Sequence, residues 1–373
     1  MSRKLVFVTG TRADFGKVLP LAEAARNDGH RIAFFVTGMH MLERYGLTKI
    51  EVHRVPGAEI FEFLNQKPVD GQDTIIAKTV LGFSDFLSEH RPDLVIVHGD
   101  RVEALACALS CAVNYVRCAH VEGGEVSGTI DELFRHCNTK LATCHFVSSD
   151  AARDRVMRLG ESRNSTFIIG SPELDVHSGP SGVTVDAVRK RYAIPMSEYG
   201  VVIFHPVTSE FDSMGAQAEA LFATLEESGR KYVTIFPNND PGSEAIHEVV
   251  RGLPKGSFRA IPSMRFHYFS ELLKNAAVLV GNSSAGVREA PFLGVPSLDI
   301  GTRQTNRASS ASVFSCEADD RDTILDFINR EWHRRYPSCT SFGKGGAAER
   351  FVTVLRQEEF WSQPLQKVFS DND

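Results

Sequence analysis

Three acidic side chains of this sequence follow apolar runs, and arginines lie beside them. Asp100 and Arg101 come directly after DLVIVHG, and Glu122 comes directly after VRCAHV. The next loop, GGEVSGTIDE, carries Asp131, and Arg135 lies one helical turn beyond it. Because loops after parallel strands meet at one edge of a sheet, we expect these groups to face a ligand. Clustered carboxylates can remove and donate protons; the alternative is a solvated acidic loop with Asp100 and Asp131 as helix caps.

The loop GTRADFGK follows the first apolar run and combines two glycines with Arg12 and Lys17. Its spacing matches neither the Walker A loop nor the dinucleotide motif GxGxxG. The N–H groups at the start of a helix, with two cations beside them, would nevertheless attract a phosphate. The alternative is an ordinary turn between a strand and a helix.

A second set of anion-binding candidates lies in the later half of the sequence. The segment GNSSAGVRE puts Ser283 and Ser284 at a strand–helix junction, where hydroxyl and backbone N–H groups suit a phosphate. Glu289, one turn further on, could accept hydrogen bonds from ribose hydroxyls or could be a surface acid. Arg303 could clamp a phosphate, and His205 follows another strand, where it is either structural or catalytic. Together these groups predict a site for a nucleotide diphosphate.

The elements that position these loops alternate along the chain. Short apolar runs, predicted as strands, are separated by longer amphipathic runs, predicted as helices, which indicates parallel sheet covered by helices on both faces. In the first half we predict strands at residues 4–10, 31–38, 93–99, 116–122, 144–148 and 167–170. In the second half we predict strands at 200–204, 232–236, 278–281 and 297–300, and a helix near 285–293.

The segment VHSGPSGV, at residues 176–183, is rich in glycine, proline and serine and predicts a linker. We therefore predict an N-terminal α/β domain at 1–177, which carries the acid cluster, and a C-terminal α/β domain at 178–357. Ligands of such folds bind beyond the carboxyl ends of the strands, and binding sites favour domain interfaces. The expected site is a cleft between the two domains.

Composition excludes several classes of protein. The 373 residues include 41 Lys+Arg and 47 Asp+Glu, a formal net charge of −6, so we expect no nucleic-acid partner. No run of about 18 apolar residues occurs, and no membrane span is predicted. The seven cysteines form no CxxC pair, which is typical of a reducing compartment, and we predict a cytoplasmic protein. A metal site at the acidic loop is only a weak alternative, because no His-x3-His pair occurs there, and we expect no metal.

Seven motifs occur together in this chain: TGTRADFGK, HGDR, HVEGGEVSGTIDE, FHPVT, PNNDPGSE, GNSSAGVREAP and GTRQTNR. In their order and content, from Lys4 to Arg307, the chain resembles the hydrolysing UDP-N-acetylglucosamine 2-epimerases of bacterial sialic-acid and legionaminic-acid synthesis. The resemblance implies an α/β fold of two Rossmann-like domains facing a cleft, as in glycosyltransferase-B proteins. It also implies a terminal helix at 358–373 that packs back on the N-terminal domain, a homodimer, and no metal or redox cofactor.

The resemblance further implies an elimination followed by a hydration. UDP leaves as the C2 proton is removed, and water then adds to the 2-acetamidoglucal with inverted configuration at C2. By motif match, Asp100, Glu122 and Asp131 form the acid–base set. His205 would contact the sugar or the diphosphate, and Arg135 would orient Asp131 and its neighbours. The positions that match contacts to UDP or substrate are Arg12, Lys17, Arg101, Asn238, Phe266, Phe269, Ser283, Ser284, Gly286, Glu289 and Arg303.

The same motifs bear on rival functions. The third acidic segment reads GTI followed by Asp131 and Glu132, where the reversible epimerases read Pro-Glu-Glu, and this favours the hydrolysing branch. Within that branch, a substrate with a second acetamido group at C4 and no O6 remains open. A glycosyltransferase of the same fold would need an acceptor groove rather than three carboxylates. A UDP-sugar-binding regulator without turnover would not need the acids.

Overall fold

The chain divides into two units, each built on its own parallel sheet. The structure, a computed structural model, describes residues 2–67, 70–179, 182–238, 240–307 and 310–371. Unit 1 comprises Met1–Glu125, Asp131–Ser178 and Phe342–Asp373, and unit 2 comprises Val126–Ile130 and Gly179–Ser341.

Unit 1 begins as an alternation of strands and helices. Its strands are β1 (Lys4–Thr9), β2 (Arg31–Val36), β3 (Glu59–Glu62), β4 (Leu94–His98), β5 (Cys118–Val121), β6 (Cys144–Val147) and β7 (Thr166–Ile168). Its helices are α1 (Arg12–Asn27), α2 (Lys49–Val52), α3 (Gln72–His90), α4 (Val102–Val113), α5 (Ile130–Leu141), α6 (Asp150–Arg158) and α7 (Glu173–Ser178). The parallel order is β3-β2-β1-β4-β5-β6-β7, so the direction of winding reverses between β1 and β4. Such a reversal is where open α/β sheets bind ligands.

Both faces of this sheet are covered, which explains its apolar strands. Leu5 and Phe7 of β1 pack on one face in a cluster that includes α1, and Val6 and Val8 pack on the other with α3 and α4. All four side chains are at most 4% exposed. A strand with no face in solvent is apolar at every position, and this is the pattern that predicted it.

Unit 2 repeats the alternation. Its strands are β8 (Gly200–Ile203), β9 (Tyr232–Ile235), β10 (Phe258–Ile261), β11 (Leu279–Gly281), β12 (Ser297–Ile300) and β13 (Val313–Cys316). Its helices are α8 (Val185–Tyr192), α9 (Met214–Glu227), α10 (Ser243–Gly252), α11 (Phe266–Lys274), α12 (Ser284–Val287), α13 (Glu289–Phe292) and α14 (Arg321–Glu331). The parallel order is β10-β9-β8-β11-β12-β13, with the reversal between β8 and β11. The two sheets confirm the predicted α/β class with two Rossmann-like domains.

The helix predicted near 285–293 is wrong as a single element. It consists of α12 and α13, which are separated at Arg288, where φ is −121° and ψ is −67°. Pro291 has no N–H, and its ring would clash with the carbonyl of Val287 in a continuous helix. Three strands escaped prediction, namely β3, β10 and β13, and each forms an edge of its sheet.

The carboxyl-terminal segment joins unit 1 from Phe342 onward, whereas the prediction gave residues up to 357 to the second domain. Here α15 (Ala347–Leu355) inserts Phe351 into the core, with its ring centroid 4.8 Å from that of Phe146. The earlier boundary, where the chain passes from unit 1 into unit 2, falls after Ser178. The predicted linker at 176–183 includes Pro180 and Ser181, which lie outside the described residues.

The predicted terminal helix at 358–373 is much shorter in the structure. It is α16 (Glu358–Ser362), and the described chain beyond it is not helical. Pro364 disfavours a helical conformation of the residue before it, and Gln363 accordingly has a ψ of 140°. The segment packs on unit 1, where Phe360 is buried against Phe146 and Phe167.

None of the helices in the described ranges is long and apolar enough to cross a membrane. The cysteines are free thiols, and Cys107, Cys111, Cys118 and Cys144 are buried. These four side chains therefore serve as small core residues of unit 1.

Candidate active site

Backbone N–H groups of the loop between β1 and α1 bind the nearby carboxylate of Asp14. Thr11 caps α1, and Asp14 accepts a hydrogen bond from the N–H of Thr11 at 3.1 Å, which completes a capping box. The Asp14 carboxylate also accepts hydrogen bonds from the N–H of Gly10, at 3.0 Å, and from the hydroxyl of Thr9. Two donors that the sequence offered to a phosphate thus bind a carboxylate of the same loop, as in an ordinary strand–helix turn.

Both cations of that loop are also paired with acids. Nη2 of Arg12 lies 2.8 Å from Oε1 of Glu51. Lys17 is buried, and its Nζ lies 3.9 Å from Oε2 of Glu122 and 3.6 Å from Oε1 of Glu173. The sequence predicted Lys17 as a substrate contact, but the structure places its ammonium inside the acid cluster, where it stabilises two buried carboxylates.

Glu122 is held more tightly than any solvated acid would be. It follows β5 in the left-handed region, with φ of +65°, and is 3% exposed. Its Oε1 accepts a hydrogen bond from the hydroxyl of Ser171 at 2.6 Å, and its Oε2 lies 3.1 Å from Nε2 of His98. Burial lowers the pKa of His98, against the opposing effect of the Glu122 charge. These contacts contradict the alternative of a solvated loop at this position.

Asp100, after β4, is joined to α5 by a buried arginine. Arg135 is 2% exposed; its Nη2 donates a hydrogen bond to Asp100, and its Nη1 donates to the carbonyl of Glu125 at 3.3 Å. The side chain of Asp100 keeps 26% of its surface exposed. The sequence predicted that Arg135 orients Asp131 and its neighbours, and the structure shows it bound to the nearby acid Asp100. An ionic bond in a buried setting fixes the direction of the carboxylate.

Asp131 lies in the first turn of α5 and is partly buried. The amino end of a helix stabilises a negative charge such as that of Asp131. The next acid, Glu132, has its Oε1 3.4 Å from Nε2 of His136. The other half of α5 is anchored to the loop after β4: Asn138 donates a hydrogen bond to the carbonyl of Gly99 at 3.0 Å. The anchored helix therefore carries Asp131 on the same unit as Asp100 and Glu122.

His120 completes this anchor. Burial lowers its pKa to about 3, although the hydrogen bond to Gly99 raises it, so the ring is neutral. Its Nε2 donates to the carbonyl of Gly99 at 2.8 Å, and its Nδ1 lies 3.1 Å from the hydroxyl of Thr139 on α5. The ring thus ties β5 to the loop that carries Asp100 and to the helix that carries Asp131.

Arg101, predicted to contact UDP, lies beside a fully buried acid. Its Nε is 3.5 Å from Oε2 of Glu103, which is 1% exposed. Glu103 packs over the loops after β1 and β2. A Cβ at Gly38, where φ is +62°, would lie 2.8 Å from Oε1 of Glu103 and 2.6 Å from the carbonyl oxygen of Gly10. Only glycine at residue 38 leaves room for this carboxylate.

In unit 2, His205 follows β8 and is oriented through its own ring. The N–H of Asn238 donates a hydrogen bond to Nδ1 of His205 at 3.1 Å. Nδ1 is therefore the acceptor nitrogen, and the proton of the neutral ring is on Nε2. The side chain of Asn238 bonds Asp240, and Asn239 of the same motif lies outside the described residues.

Asn282 links His205 to the loop of Arg303. Its Oδ1 accepts the backbone N–H of His205 at 2.6 Å, and its Nδ2 donates to the carbonyl of His205 at 2.8 Å. Its own carbonyl accepts hydrogen bonds from Gln304 at 2.9 Å and from Nη1 of Arg303 at 3.4 Å. Asn282 is fully buried. The side-chain amide of Asn282 thus holds His205, and its main-chain carbonyl receives Arg303.

The serine-rich segment has mixed roles. Ser283 caps α12 by accepting the N–H of Ala285 at 3.3 Å, and Ser284 begins that helix. Gly286 was predicted as a substrate contact, but its carbonyl binds the hydroxyl of Ser297 and its Cα faces β11, so it is a packing residue. Glu289 is 3% exposed, which contradicts the surface-acid alternative. Its Oε2 accepts no hydrogen bond from the described residues.

The two phenylalanines predicted beside uracil lie on α11. Phe269 is 8% exposed and packs in the core of unit 2 with Leu272 and Leu273, so it is a core residue rather than a base-stacking one. Phe266 is partly buried, and its ring centroid lies 6.4 Å from that of Phe269. A face of Phe266 is thus the remaining aromatic candidate on this helix.

Asp299 of β12 is a buried acid that the sequence did not single out. It is 6% exposed, and burial raises its pKa to about 7 against the opposing charges of Arg303 and Arg307. Its Oδ1 accepts no hydrogen bond from the described residues. The carboxyl group therefore titrates near neutral pH within reach of the Arg303 charge.

Sequence reasoning also missed His98, Ser171, Glu173 and Asn282 as site residues. His98 and Asn282 belong to the motifs HGDR and GNSS, where attention went to their neighbours. Ser171 and Glu173 follow β7, and the rule that singled out Asp100 after β4 would have found them. Among the residues that the structure describes, no group of three or more His, Cys, Asp or Glu side chains is arranged to hold a metal ion.

The chain matches the family model described as UDP-N-acetylglucosamine 2-epimerase over residues 22–356. A UDP-N-acetylglucosamine 2-epimerase of Neisseria meningitidis serogroup B is 39% identical over 374 residues, which cover 99% of each chain. A UDP-N,N'-diacetylbacillosamine 2-epimerase (hydrolyzing) of Legionella pneumophila is 32% identical over 98% of this chain and 99% of its own. The crystal structure of the Methanocaldococcus jannaschii UDP-GlcNAc 2-epimerase with UDP-GlcNAc and UDP has a similar fold, with a TM-score of 0.80 at 19% identity over 94% of this chain and 99% of that one.

Proposed function

The chain belongs to the UDP-N-acetylglucosamine 2-epimerase family, and we propose that it is a hydrolysing member that converts UDP-N-acetylglucosamine to UDP and N-acetylmannosamine. The observation that carries this proposal is the acid set of unit 1. Glu122 is held by Ser171, His98 and Lys17, and Asp100 is held by Arg135. Buried and oriented carboxylates are what a proton transfer at a sugar carbon needs.

The chemistry of the substrate explains why several acids would be required. The C2 proton of the sugar is not adjacent to a carbonyl carbon, so its removal gives no enolate. The elimination must instead draw on the departure of UDP, with positive charge developing at C1. A carboxylate takes the C2 proton, and a second one stabilises the charge. In the hydration step a protonated acid returns a proton to C2 of the glucal, and water adds at C1.

Unit 2 supplies groups of the kind that hold a departing diphosphate. His205 presents a protonated Nε2, a donor that can bind a phosphate oxygen without a change in its own charge. Arg303 adds the positive charge, and Glu289 is the proposed acceptor for ribose hydroxyls. Arg12, Arg101, Asn238, Phe266, Ser283 and Ser284 keep their places as proposed contacts of UDP or substrate.

A glycosyltransferase is the main rival on this fold. A transferase also needs UDP to leave, but it needs no base at C2, and the buried Glu122 and Asp100 pairs would have no role in it. A test must therefore follow the C2 proton rather than the release of UDP alone.

The experiment is a proton NMR time course of the purified protein with UDP-N-acetylglucosamine in D₂O. We expect free N-acetylmannosamine with deuterium at C2 and an equimolar amount of UDP. A nucleotide-linked N-acetylmannosamine with deuterium at C2 would indicate the reversible reaction instead. UDP release without deuterium at C2 would support the transferase. The Asp131→Asn variant, purified in parallel, controls for host enzymes.

The substrate has one specific competitor. The Legionella relative at 32% identity is named for UDP-N,N'-diacetylbacillosamine, while the Neisseria relative at 39% is named for UDP-N-acetylglucosamine. The second candidate function is thus the same chemistry on UDP-2,4-diacetamido-2,4,6-trideoxyglucose, on the way to legionaminic rather than sialic acid. The NMR assay with both sugars separates them, because kcat/KM for the true substrate is expected to be higher by about 100-fold or more.

We also propose that the protein forms a homodimer in the cytoplasm. The neighbouring helices α3 and α4 expose Leu81, Leu109 and Val113, at 70%, 37% and 65% of their surface. Apolar side chains grouped on packed helices commonly mark an interface. Sedimentation velocity at micromolar concentration tests the assembly: a dimer that becomes a monomer in Leu81→Glu supports it, and a monomeric wild type contradicts it.

A further inference from the structure

The segment after α16 reaches the carboxyl end of α5, the helix that carries Asp131 and Arg135. Nζ of Lys367 donates hydrogen bonds to the carbonyls of Thr139 at 3.1 Å, Lys140 at 2.8 Å and Ala142 at 2.6 Å. The last four carbonyls of a helix have no partner within it, and a cation there also meets the negative end of the helix dipole. Lys367 is therefore a cap supplied from more than two hundred residues away in the sequence.

A buried acid holds this ammonium in place. Glu161 is 2% exposed, and its oxygens lie 2.6 Å from Nζ of Lys367, 2.6 Å from Nζ of Lys140 and 3.0 Å from Nε2 of His145. Burial raises the pKa of Glu161, but the hydrogen bonds and charges of these three partners bring it down to about 2. The carboxylate is charged at any ordinary pH.

The residues that follow Lys367 seat the segment further. Ser370 donates its N–H to the carbonyl of Gly160 at 3.0 Å, and Phe369 covers the same glycine. Nζ of Lys140 lies 5.6 Å from the centroid of the Phe369 ring. Several independent contacts thus hold the segment against the end of α5, so the position of Lys367 does not depend on one ion pair.

The amino-terminal half of α5 carries two residues of the proposed active site. Asp131 stands in the first turn, and Arg135, one turn further along the helix, binds Asp100. A helix transmits a shift of one end to the other, and a displacement of about 1 Å at a reacting group can cost about 100-fold in rate. A shift of the carboxyl-terminal cap would therefore be passed along the helix to the acid at its amino end.

We propose that Lys367 is a positioning residue for α5: by binding carbonyls at the carboxyl end of the helix, it sets where Asp131 and Arg135 stand. This inference rests on the proposed function of the acid set. Lys367 lies beyond residue 356, where the match to the family model ends. It touches neither of the two site residues that it positions, and its effect is on the rate of the reaction rather than on nucleotide binding.

The test compares Lys367→Met with two matched variants of the full chain. Lys140→Met removes another cation of Glu161 but leaves the three carbonyls at the end of α5 bound by Lys367, and Lys367→Arg retains a cationic donor. We expect kcat to fall about 10-fold or more in Lys367→Met, with KM within about 2-fold of wild type. Lys140→Met and Lys367→Arg should keep kcat within about 3-fold. All assays are run well below the melting temperature of each variant, measured by circular dichroism.

Hydrogen exchange gives a second readout that needs no substrate. Amides of residues 130–142 should exchange about 10-fold faster or more in Lys367→Met than in Lys140→Met, while those of α4 stay unchanged. Unchanged kcat in Lys367→Met, or an equal loss in Lys140→Met, overturns the proposal. If the wild type turns over neither UDP-sugar, the proposed function fails on its own. In that case hydrogen exchange alone tests the role of Lys367. Equal exchange rates of the α5 amides in Lys367→Met and Lys140→Met would overturn that role.

Discussion

The candidate residues of the two units are positioned by different kinds of interaction. In unit 1 charged side chains meet one another, as Glu122 meets Lys17 and Asp100 meets Arg135. In unit 2 a neutral amide and main-chain groups do the positioning: Asn282 brackets His205 and receives the loop of Arg303. In both units residues of the set follow strands at or next to a reversal in winding, so the topology alone does not distinguish the sets.

The contrast indicates how one fold can be used for two tasks. Carboxylates paired with cations and histidine can exchange protons at a substrate, and their partners decide which of them is charged. Amide and N–H donors bind an anion without a change of protonation as UDP comes and goes. Substitutions in unit 1 should therefore change the rate of the reaction, and substitutions in unit 2 should change nucleotide affinity.

The largest effect on activity is expected for a substitution of Asp131, which tests whether unit 1 determines the rate of the reaction. Asp131→Asn removes the proton-accepting group but keeps its size, so kcat should fall by about 10²–10⁴-fold. The UDP dissociation constant from calorimetry should stay within about 3-fold. Glu132→Gln is the matched control, because this neighbouring acid pairs with His136 on the same helix. Near-normal activity of Asp131→Asn, or an equal loss in Glu132→Gln, would break the assignment.

Arg303→Ala should produce the next largest effect, and on binding rather than rate. A hydrogen bond to a charged group contributes about 1.5–3 kcal/mol, which corresponds to a UDP dissociation constant about 10–100-fold higher. Arg251→Ala, an exposed arginine paired with Glu244, is the control for loss of one positive charge. If calorimetry gives the same UDP affinity for both variants, Arg303 does not belong to the nucleotide site.

A smaller effect is expected at Asn282, where the contrast can be tested through stability. Asn282→Ala leaves the N–H and the carbonyl of His205 without their buried partner, so the free energy of unfolding in urea should fall by about 1–3 kcal/mol. UDP affinity should fall with it. Asn275→Ala removes an exposed amide that bonds only its own helix, and it should change little. Equal free energies of unfolding and equal UDP affinities of the two variants would contradict the role of Asn282 in holding His205.

The last prediction concerns the dependence of stability on pH. Asp299 has a pKa of about 7 in the folded chain, against 3.8 as its ordinary value. Between these values the folded state binds a proton that the unfolded state does not, so this residue makes stability fall as pH rises from about 4 to about 7, by at most about 1.4 kcal/mol per pH unit. Asp299→Asn should remove this slope in urea titrations, and the exposed Asp326→Asn should not. A slope unchanged in Asp299→Asn would refute it.

The same measurement contrasts with Glu161 of unit 1. Its pKa of about 2 lies below the ordinary 4.5, so its stabilising contribution is present above about pH 4.5 and is lost as pH falls toward 2. Glu161 of unit 1 is paired with two lysines and a histidine, whereas Oδ1 of Asp299 in unit 2 accepts no hydrogen bond from the described residues. The contributions of these two acids to stability therefore change in opposite directions with pH.

Interior strands were predictable from the sequence, and three of the edge strands were not. The interior strands are buried on both faces and are mostly apolar, whereas β3 reads EIFE with both glutamates exposed. A strand of that composition is specified by its pairing partner, β2, which no local pattern reveals. The terminal helix was predicted too long, and the sequence holds the local reason, since Pro364 disfavours a helical conformation of the residue before it.

The candidate site was predictable in its positions but not in its pairings. Strand ends pointed to Asp100, Glu122 and His205 because loops after parallel strands converge. The partner of Lys17 in the cluster, Glu173, lies far along the chain, and only the folded structure brings the two within 3.6 Å. Long-range contacts of this kind decide which cation faces a phosphate and which one faces an acid.

The return of the chain to unit 1 has a consequence for synthesis on the ribosome. The core of unit 1 contains Phe351 and Phe360, so this unit cannot close until the residues of unit 2 have already emerged. Unit 2 is continuous over most of its length and can fold first, although domains usually fold in order from the amino end. A nascent chain that stops short of α15 therefore exposes an unfinished apolar core, which chaperones and proteases can recognise, and release of an active enzyme waits for the last turns of the chain.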